Sequence, residues 1–337
     1  MSPWKTTDIP PQQGRTAVVT GTGGIGFEVA LALARAGASV ILAGRNPQKG
    51  QAAIQAMQGR VPWAQVVFMP LDLANLQSVR RFSQHLWESG RAVDVLVNNA
   101  GVMTPPSRQL TADGFELQIG TNFLGHFALT AQLLPLLRQG TTPRVVTLSS
   151  IAARQGTIHL DDLQSERSYN PMQAYSQSKL ACLMFALTLQ RRSQDWGWGI
   201  QSLAAHPGIS RTELLPNGAG ENSLPGRVRR LLWFLFQPAA QGALPTLFAA
   251  TAQQARGGAY CGPDGLGELR GHPSAAQVPP QARDHDVAAA LWSASEHLTG
   301  SFFPRASFSD LTAPLAFQRP LLASAGQGGA PFLQAPL

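Results

Sequence analysis

The strongest constraint in this chain is an alternation that runs from Arg15 to about Ile209. Short β-branched apolar runs take turns with longer stretches of helical composition. Thr16 to Val19 is the first run, and a helical stretch follows through Ala36. Ser39 to Ala43, Gln65 to Met69, Val93 to Val97, Arg144 to Leu148 and Ile200 to Ala204 repeat it, with a helix starting near Asn46. These runs are apolar at successive positions, so both faces of each strand need cover. Strands covered on both faces and joined by helices form a parallel sheet of the α/β, doubly wound (Rossmann-type) kind. Such sheets bind ligands outside the carboxyl ends of their strands. The glycine-rich and polar motifs of this chain fall at those ends.

Composition narrows the function classes. Hydrophobic residues make up 44% of the 337, enough for a sizeable core, while charged residues make up only 13%. The net charge of +7 comes mainly from arginine, since Lys5, Lys49 and Lys179 are the only lysines. No basic run is interleaved with aromatics, so no nucleic-acid partner is expected. Cys182 and Cys261 make neither a disulfide framework nor a metal-ligand spacing, and Cys182 reads as a buried core thiol. Neither a signal-peptide layout nor an apolar run long enough to cross a bilayer is present, which points to a cytoplasmic protein. Residues 301–337, rich in Ala, Pro, Ser and Gly, read as a poorly ordered extension to a single domain over residues 14–300. Residues 213–238 break the pattern with a Gly/Asn/Pro loop, three arginines and the run Leu231 to Phe236. They read as a substrate flap whose segment 227–236 offers peripheral membrane contact.

The first strand meets the first helix at Thr20-Gly21-Thr22-Gly23-Gly24-Ile25-Gly26. Glycines there allow a tight turn and close approach of a pyrophosphate to the helix N-terminus. The second strand ends in Gly44-Arg45-Asn46. A carboxylate at that point would hold a ribose 2′-hydroxyl and repel a 2′-phosphate. Arg45 offers a guanidinium instead, which favours NADP(H) over NAD(H). Asp72-Leu73, closing the third strand, is placed to reach the adenine edge, and Asn98 to Gly101 gives a small-residue passage beneath the cofactor.

Tyr175 and Lys179 stand at i and i+4, one turn apart on one helix face. A phenol beside an ammonium is suited to proton transfer, because nearby positive charge favours the phenolate. Ser149-Ser150 closes an apolar run upstream. Together these groups suit an enzyme that moves hydride and proton together.

These residues resemble the short-chain dehydrogenase/reductase family. The matching pieces are the turn at 20–26, Asp72-Leu73, Asn98-Asn99-Ala100-Gly101, Asn122 to Gly125, Ser149-Ser150, Tyr175-x-x-x-Lys179, and Pro207-Gly208 with Thr212. Finer matches are similar to its retinol-dehydrogenase-like branch: His126 to Thr130, Leu160 to Leu163, Ala174 to Leu180, His206-Pro207-Gly208 and Gln241-Gly242-Ala243. As in that branch, a long segment, here 25 residues, separates Ser150 from Tyr175.

The resemblance implies roles. Tyr175 becomes the general acid or base, Lys179 its partner on the nicotinamide ribose, and Ser150 the donor to the substrate oxygen. Asn122 would hold a water linking Lys179 to solvent. Gly21, Gly24, Ile25, Gly26, Arg45, Asp72, Leu73 and Asn99 would line the cofactor site, with Pro207, Gly208 and Thr212 at the nicotinamide end. An apolar alcohol/carbonyl substrate and a homo-oligomer, formed through the helices bearing Asn122 and Tyr175, are also implied. One departure stands out: the turn is one residue shorter than the family's T-G-x-x-x-G-x-G. A catalytically silent NADP(H)-sensing protein on the same fold is therefore the alternative reading.

Overall fold

A computed structural model of the chain describes residues 3–210 and 237–305. Eight strands form one sheet: β1 (Thr16–Thr20), β2 (Ser39–Gly44), β3 (Val66–Pro70), β4 (Val95–Asn98), β5 (Arg144–Leu148), β6 (Gln201–Ala205), β7 (Tyr260–Pro263) and β8 (Pro273–Ala275). Their order is β3-β2-β1-β4-β5-β6-β7-β8. All pairs are parallel except β7 with β8. The doubly wound sheet expected from the alternation is therefore present, with β1 and β4 flanking the point where the winding reverses. Most expected strands fall within two residues of their observed limits. β7 and β8 carry no such apolar run, because Gly262, Pro263 and Pro273 interrupt them.

Four of the helices named here begin where a side chain satisfies free backbone N–H groups. α1 (Gly24–Arg35) follows the glycine turn. Asn46 caps α2 (Pro47–Arg60), and Asn75 caps α3 (Leu76–Glu88). α4 (Gly125–Leu137) is entered through a wide π-turn, Gly120–Leu124. Asn170 caps α5 (Pro171–Asp195), with Pro171 in its first turn. α6 (Leu244–Thr251) and α7 (His285–Thr299) are the longest helices after β6 among the described residues, α7 capped by Asp284. One apolar layer packs α1, α2 and α6 on one face of the sheet. The other packs α3, α4, α5 and α7 on the opposite face.

α5 is buried without interruption from Ala174 to Ala186. A helix covered on every face needs neighbours all round, and this chain supplies them itself. The segment between Ser150 and Tyr175 is pinned to α5 by Gln177, which accepts from His159 N at 2.8 Å and donates to Leu163 O at 3.2 Å. On another side, α7 sends Trp292 into a ring cluster with Phe127 of α4 and Phe185 of α5. α7 and the inserted segment thus pack on the helices bearing Asn122 and Tyr175, through which an oligomer was expected.

The core also runs past residue 300. Phe303 is 3% exposed and lies 4.6 Å from Trp292, ring centre to ring centre. Among the described residues no helix is long and apolar enough to cross a membrane. The expected flap at 227–236, and the extension from residue 306, lie outside the described residues. Trp292→Ala should cost about 3–5 kcal/mol by removing a filled aromatic site. Urea titration measures this, and a loss below about 1 kcal/mol would mean that α7 is not part of the core.

Candidate active site

The carboxyl ends of β1, β2, β4, β5 and β6 open onto a cleft of about 350 Å³. Gly21, Gly24, Ile25, Arg45, Asp72, Leu73, Asn99, Tyr175, Lys179 and Pro207 all line it. Gly26, Asn122, Ser150 and Gly208 stand behind or beside that lining, and Thr212 lies outside the described residues. The cleft also takes in Thr22, Asn46, Lys49, Thr121 and Ser149, which the motif reading did not select.

The short turn is built from glycines in the left-handed region. Gly21 has φ +95° and Gly24 φ +52°, values that only glycine adopts without strain. A Cβ on Gly26 would strike the Gly21 carbonyl oxygen and the Asn99 side chain. Gly26 therefore serves close packing of α1 under the turn. Asn99 clamps this region: its Nδ2 donates to Thr20 O at 2.6 Å. Thr20 Oγ1 in turn accepts from Asn99 N at 2.9 Å and Ala100 N at 3.0 Å. The shortened turn is thus a fully formed cradle, and its residues fit a dinucleotide.

At the other end of the turn, Thr22 packs on Gly44 at the tip of β2. Arg45, Asn46 and Lys49 face the cleft there, and no carboxylate closes the strand. Lys49 is in the first turn of α2, whose cap Asn46 accepts from Lys49 N at 2.9 Å. A second cation beside Arg45 is a feature that a search limited to the strand end misses. Asp72 Oδ1 accepts from Ala74 N at 3.0 Å, which holds the turn after β3 in shape.

At the catalytic end, Lys179 Nζ donates to Leu148 O at 3.1 Å and lies 5.9 Å from the Tyr175 ring centre. Both side chains are largely buried. The structure separates the two serines. Ser149 Oγ donates to Lys179 O at 2.8 Å and is committed to the helix. Ser150 Oγ accepts from Ala152 N at 3.2 Å, which leaves its own proton uncommitted among the described residues. Ser150 is the one able to donate to a substrate oxygen.

Asn122, in the π-turn, is 1% exposed. Its side chain accepts from Val102 N at 2.7 Å and donates to Val102 O at 3.0 Å and Ser178 Oγ at 2.9 Å. Its carbonyl accepts from His126 Nδ1 at 2.9 Å and from Cys182 Sγ at 3.2 Å. A water held by Asn122 would share a carbonyl that already has two partners. Cys182 is the buried thiol expected, its acidity weakened by burial.

A polar cluster adjoins Ser150 and the turn after β6. His206 is fully buried; its Nδ1 accepts from Gly208 N at 3.2 Å, so Nε2–H donates to Glu268 Oε2 at 2.7 Å. Arg154, four residues after Ser150, pairs with the same carboxylate at 2.6 Å. Tyr260 OH reaches Ser150 O at 3.4 Å, and burial pushes that phenol well above its usual range, keeping it a donor. Glu268, Arg154 and Tyr260 carry no local sequence signal, because they meet only through the fold.

The arrangement places a phenol and an ammonium at one end of the cleft and the glycine turn at the other. A family model described as short chain dehydrogenase matches residues 15–221. The chain belongs to the short-chain dehydrogenase family. Within it the chain sits in the retinol-dehydrogenase-like branch, among oxidoreductases that use nicotinamide cofactors. It is 40% identical over 300 residues to a polyprenol dehydrogenase of Mus musculus, covering 87% of this chain and 86% of the relative. It is also 40% identical over 294 residues to retinol dehydrogenase 13 of Homo sapiens, covering 85% of each. Among solved structures, an uncharacterized protein from Mycobacterium Paratuberculosis superposes with a TM-score of 0.75 at 42% identity. That match covers 90% of this chain and all of the other.

Two outcomes follow for this site. Gly26→Ala should abolish measurable NADPH binding in a fluorescence titration, since the backbone oxygen in its way cannot move cheaply; unchanged affinity would refute the close-packing role. The second concerns His126, whose pKa burial lowers from 6.5 to about 4, with Lys179 acting the same way and the Asn122 carbonyl opposing. As pH falls through that window the unfolded chain takes up a proton that the folded chain refuses, so stability drops. The loss reaches on the order of 3 kcal/mol near pH 4. His206 shifts in the same direction, so the comparison is with His126→Gln. Its stability should fall less between pH 7 and pH 4.5, and equal falls would contradict the assignment.

Proposed function

We propose that this protein is an NADP(H)-dependent oxidoreductase that interconverts an apolar alcohol and its aldehyde or ketone, with Tyr175 as acid/base. The observation that carries this reading is one cleft lined at its two ends by the glycine turn and by Tyr175 with Lys179. Gly21, Gly24 and Ile25 would hold the pyrophosphate. Arg45 and Lys49 would meet a 2′-phosphate, in a place where a carboxylate would repel it. Pro207 would contact the nicotinamide, which supplies the hydride acceptor or donor when bound. In the oxidation direction the Tyr175 phenolate takes the alcohol proton while the carbon loses hydride. In reduction the Tyr175 hydroxyl gives that proton to the carbonyl oxygen. Ser150 donates to the same oxygen as negative charge develops on it. Lys179, fixed by Leu148 O, keeps a positive charge beside the ring.

The relatives named for polyprenol and retinol support an apolar, extended substrate. Tyr175→Phe should lower NADPH-dependent reduction of an aldehyde panel by about 100-fold or more, with NADPH affinity changed only a few-fold. Turnover unaffected by the substitution would refute the Tyr175 mechanism, and tight NADPH binding without turnover of any substrate would favour the sensor. Arg45→Asp combined with Lys49→Ala should cut the preference for NADPH over NADH at least about tenfold in kcat/KM. A preference left as in the wild type would remove these two side chains from cofactor choice.

A further inference from the structure

A buried histidine in the first turn of α4 joins two parts of the cleft that no single motif spans. His126 is 1% exposed and has a hydrogen-bond partner on each ring nitrogen. Nδ1 lies 2.9 Å from the Asn122 carbonyl, which can only accept, so Nδ1 carries the proton. Nε2 lies 2.9 Å from Thr20 Oγ1, and the neutral ring presents a lone pair there. The Thr20 hydroxyl has two acceptors in reach, Nε2 at 2.9 Å and the Val97 carbonyl at 3.3 Å, and Nε2 is the nearer, while its own lone pairs receive the N–H groups of Asn99 and Ala100. Nδ1–H, the minor form of free histidine, is the tautomer that keeps a lone pair on Nδ1 from facing the Asn122 carbonyl. Thr20 begins the glycine turn, and Asn122 braces Val102 and Ser178 next to Lys179.

We propose that His126 is a positioning residue that ties the glycine turn to Asn122, setting the cofactor cradle in register with the Tyr175–Lys179 end through one fixed tautomer. The proposal rests on the dehydrogenase reading above and deepens it. A histidine that merely filled the core would show its loss in global stability, with binding and turnover falling in parallel. A tie between two ends has a different signature, since each end can be released separately.

Amide side chains make that separation. In His126→Asn the shorter amide can still donate to the Asn122 carbonyl but falls short of Thr20. In His126→Gln the longer amide can still accept from Thr20 but no longer serves Asn122. The Asn variant is expected to weaken NADPH binding by more than it lowers kcat, and the Gln variant to do the reverse. Each larger effect should be about tenfold, the size of one buried hydrogen bond. Thermal unfolding of both variants, read beside these values, exposes a purely structural role. Parallel losses in affinity, kcat and Tm, or no difference between the two variants, would overturn the proposal. An independent arm needs no turnover. Proton–nitrogen correlation spectra of the wild type, with the His126 signals assigned by their loss in His126→Gln, should show a proton on Nδ1 that persists from pH 8 to pH 5. An Nε2–H signal, or titration near the ordinary histidine value, would also overturn it. Should the wild type bind NADPH yet turn over nothing, the dehydrogenase reading fails while the tautomer and binding arms still judge the tie.

Discussion

The structure turns on the place where the sheet's winding reverses. β1 and β4 pair through Ala17 with Val95, Val18 with Leu96 and Val19 with Val97, and then diverge. Backbone groups beyond that point are buried and need partners. Side chains provide them: Thr20 Oγ1 accepts two N–H groups from the chain after β4, and Asn99 Nδ2 answers the Thr20 carbonyl. The ladder continues in side-chain atoms across the mouth of the crevice. This lets the two strand ends separate enough to admit a ligand while these backbone groups keep partners.

Much of this was legible in the sequence, and what was legible shares a physical cause. Apolar runs at successive positions identify buried parallel strands because burial on both faces leaves no polar alternation. Tyr175 and Lys179 could be linked because helical geometry makes residues four apart neighbours. Arg45 could be placed because it directly follows a strand. Glu268 and Arg154 had no such handle: 114 positions separate the two partners of one ion pair, and only the fold joins them. Lys49 was passed over because it belongs to a helix face and not to the strand end it helps to line. The preference for Ser150 over Ser149 rested on the family resemblance, because composition cannot supply the direction of a hydroxyl.

The helices through which an oligomer was expected, α4 and α5, are packed against other parts of this chain, and the sequence held only a weak sign of it. α7 looks like an ordinary amphipathic helix, and nothing local says which surface it will cover. Only the ring cluster of Trp292 and Phe303 with Phe127 and Phe185 shows that its apolar face completes the layer over α4 and α5. The 25-residue segment before Tyr175 does similar work on the other side of α5. Apolar helix faces that resemble an interface can be satisfied within one chain, and here they are.

A helix enclosed on all sides has a kinetic consequence. Its amides exchange with solvent only when much of the domain opens, which places α5 among the slowest-exchanging parts of the chain. Tyr175 and Lys179 ride on that element, so thermal motion does little to spread their geometry. Any rearrangement that admits or releases a substrate must come from the loops facing them. The proposed acid/base pair thus sits on an element that is itself among the last to open.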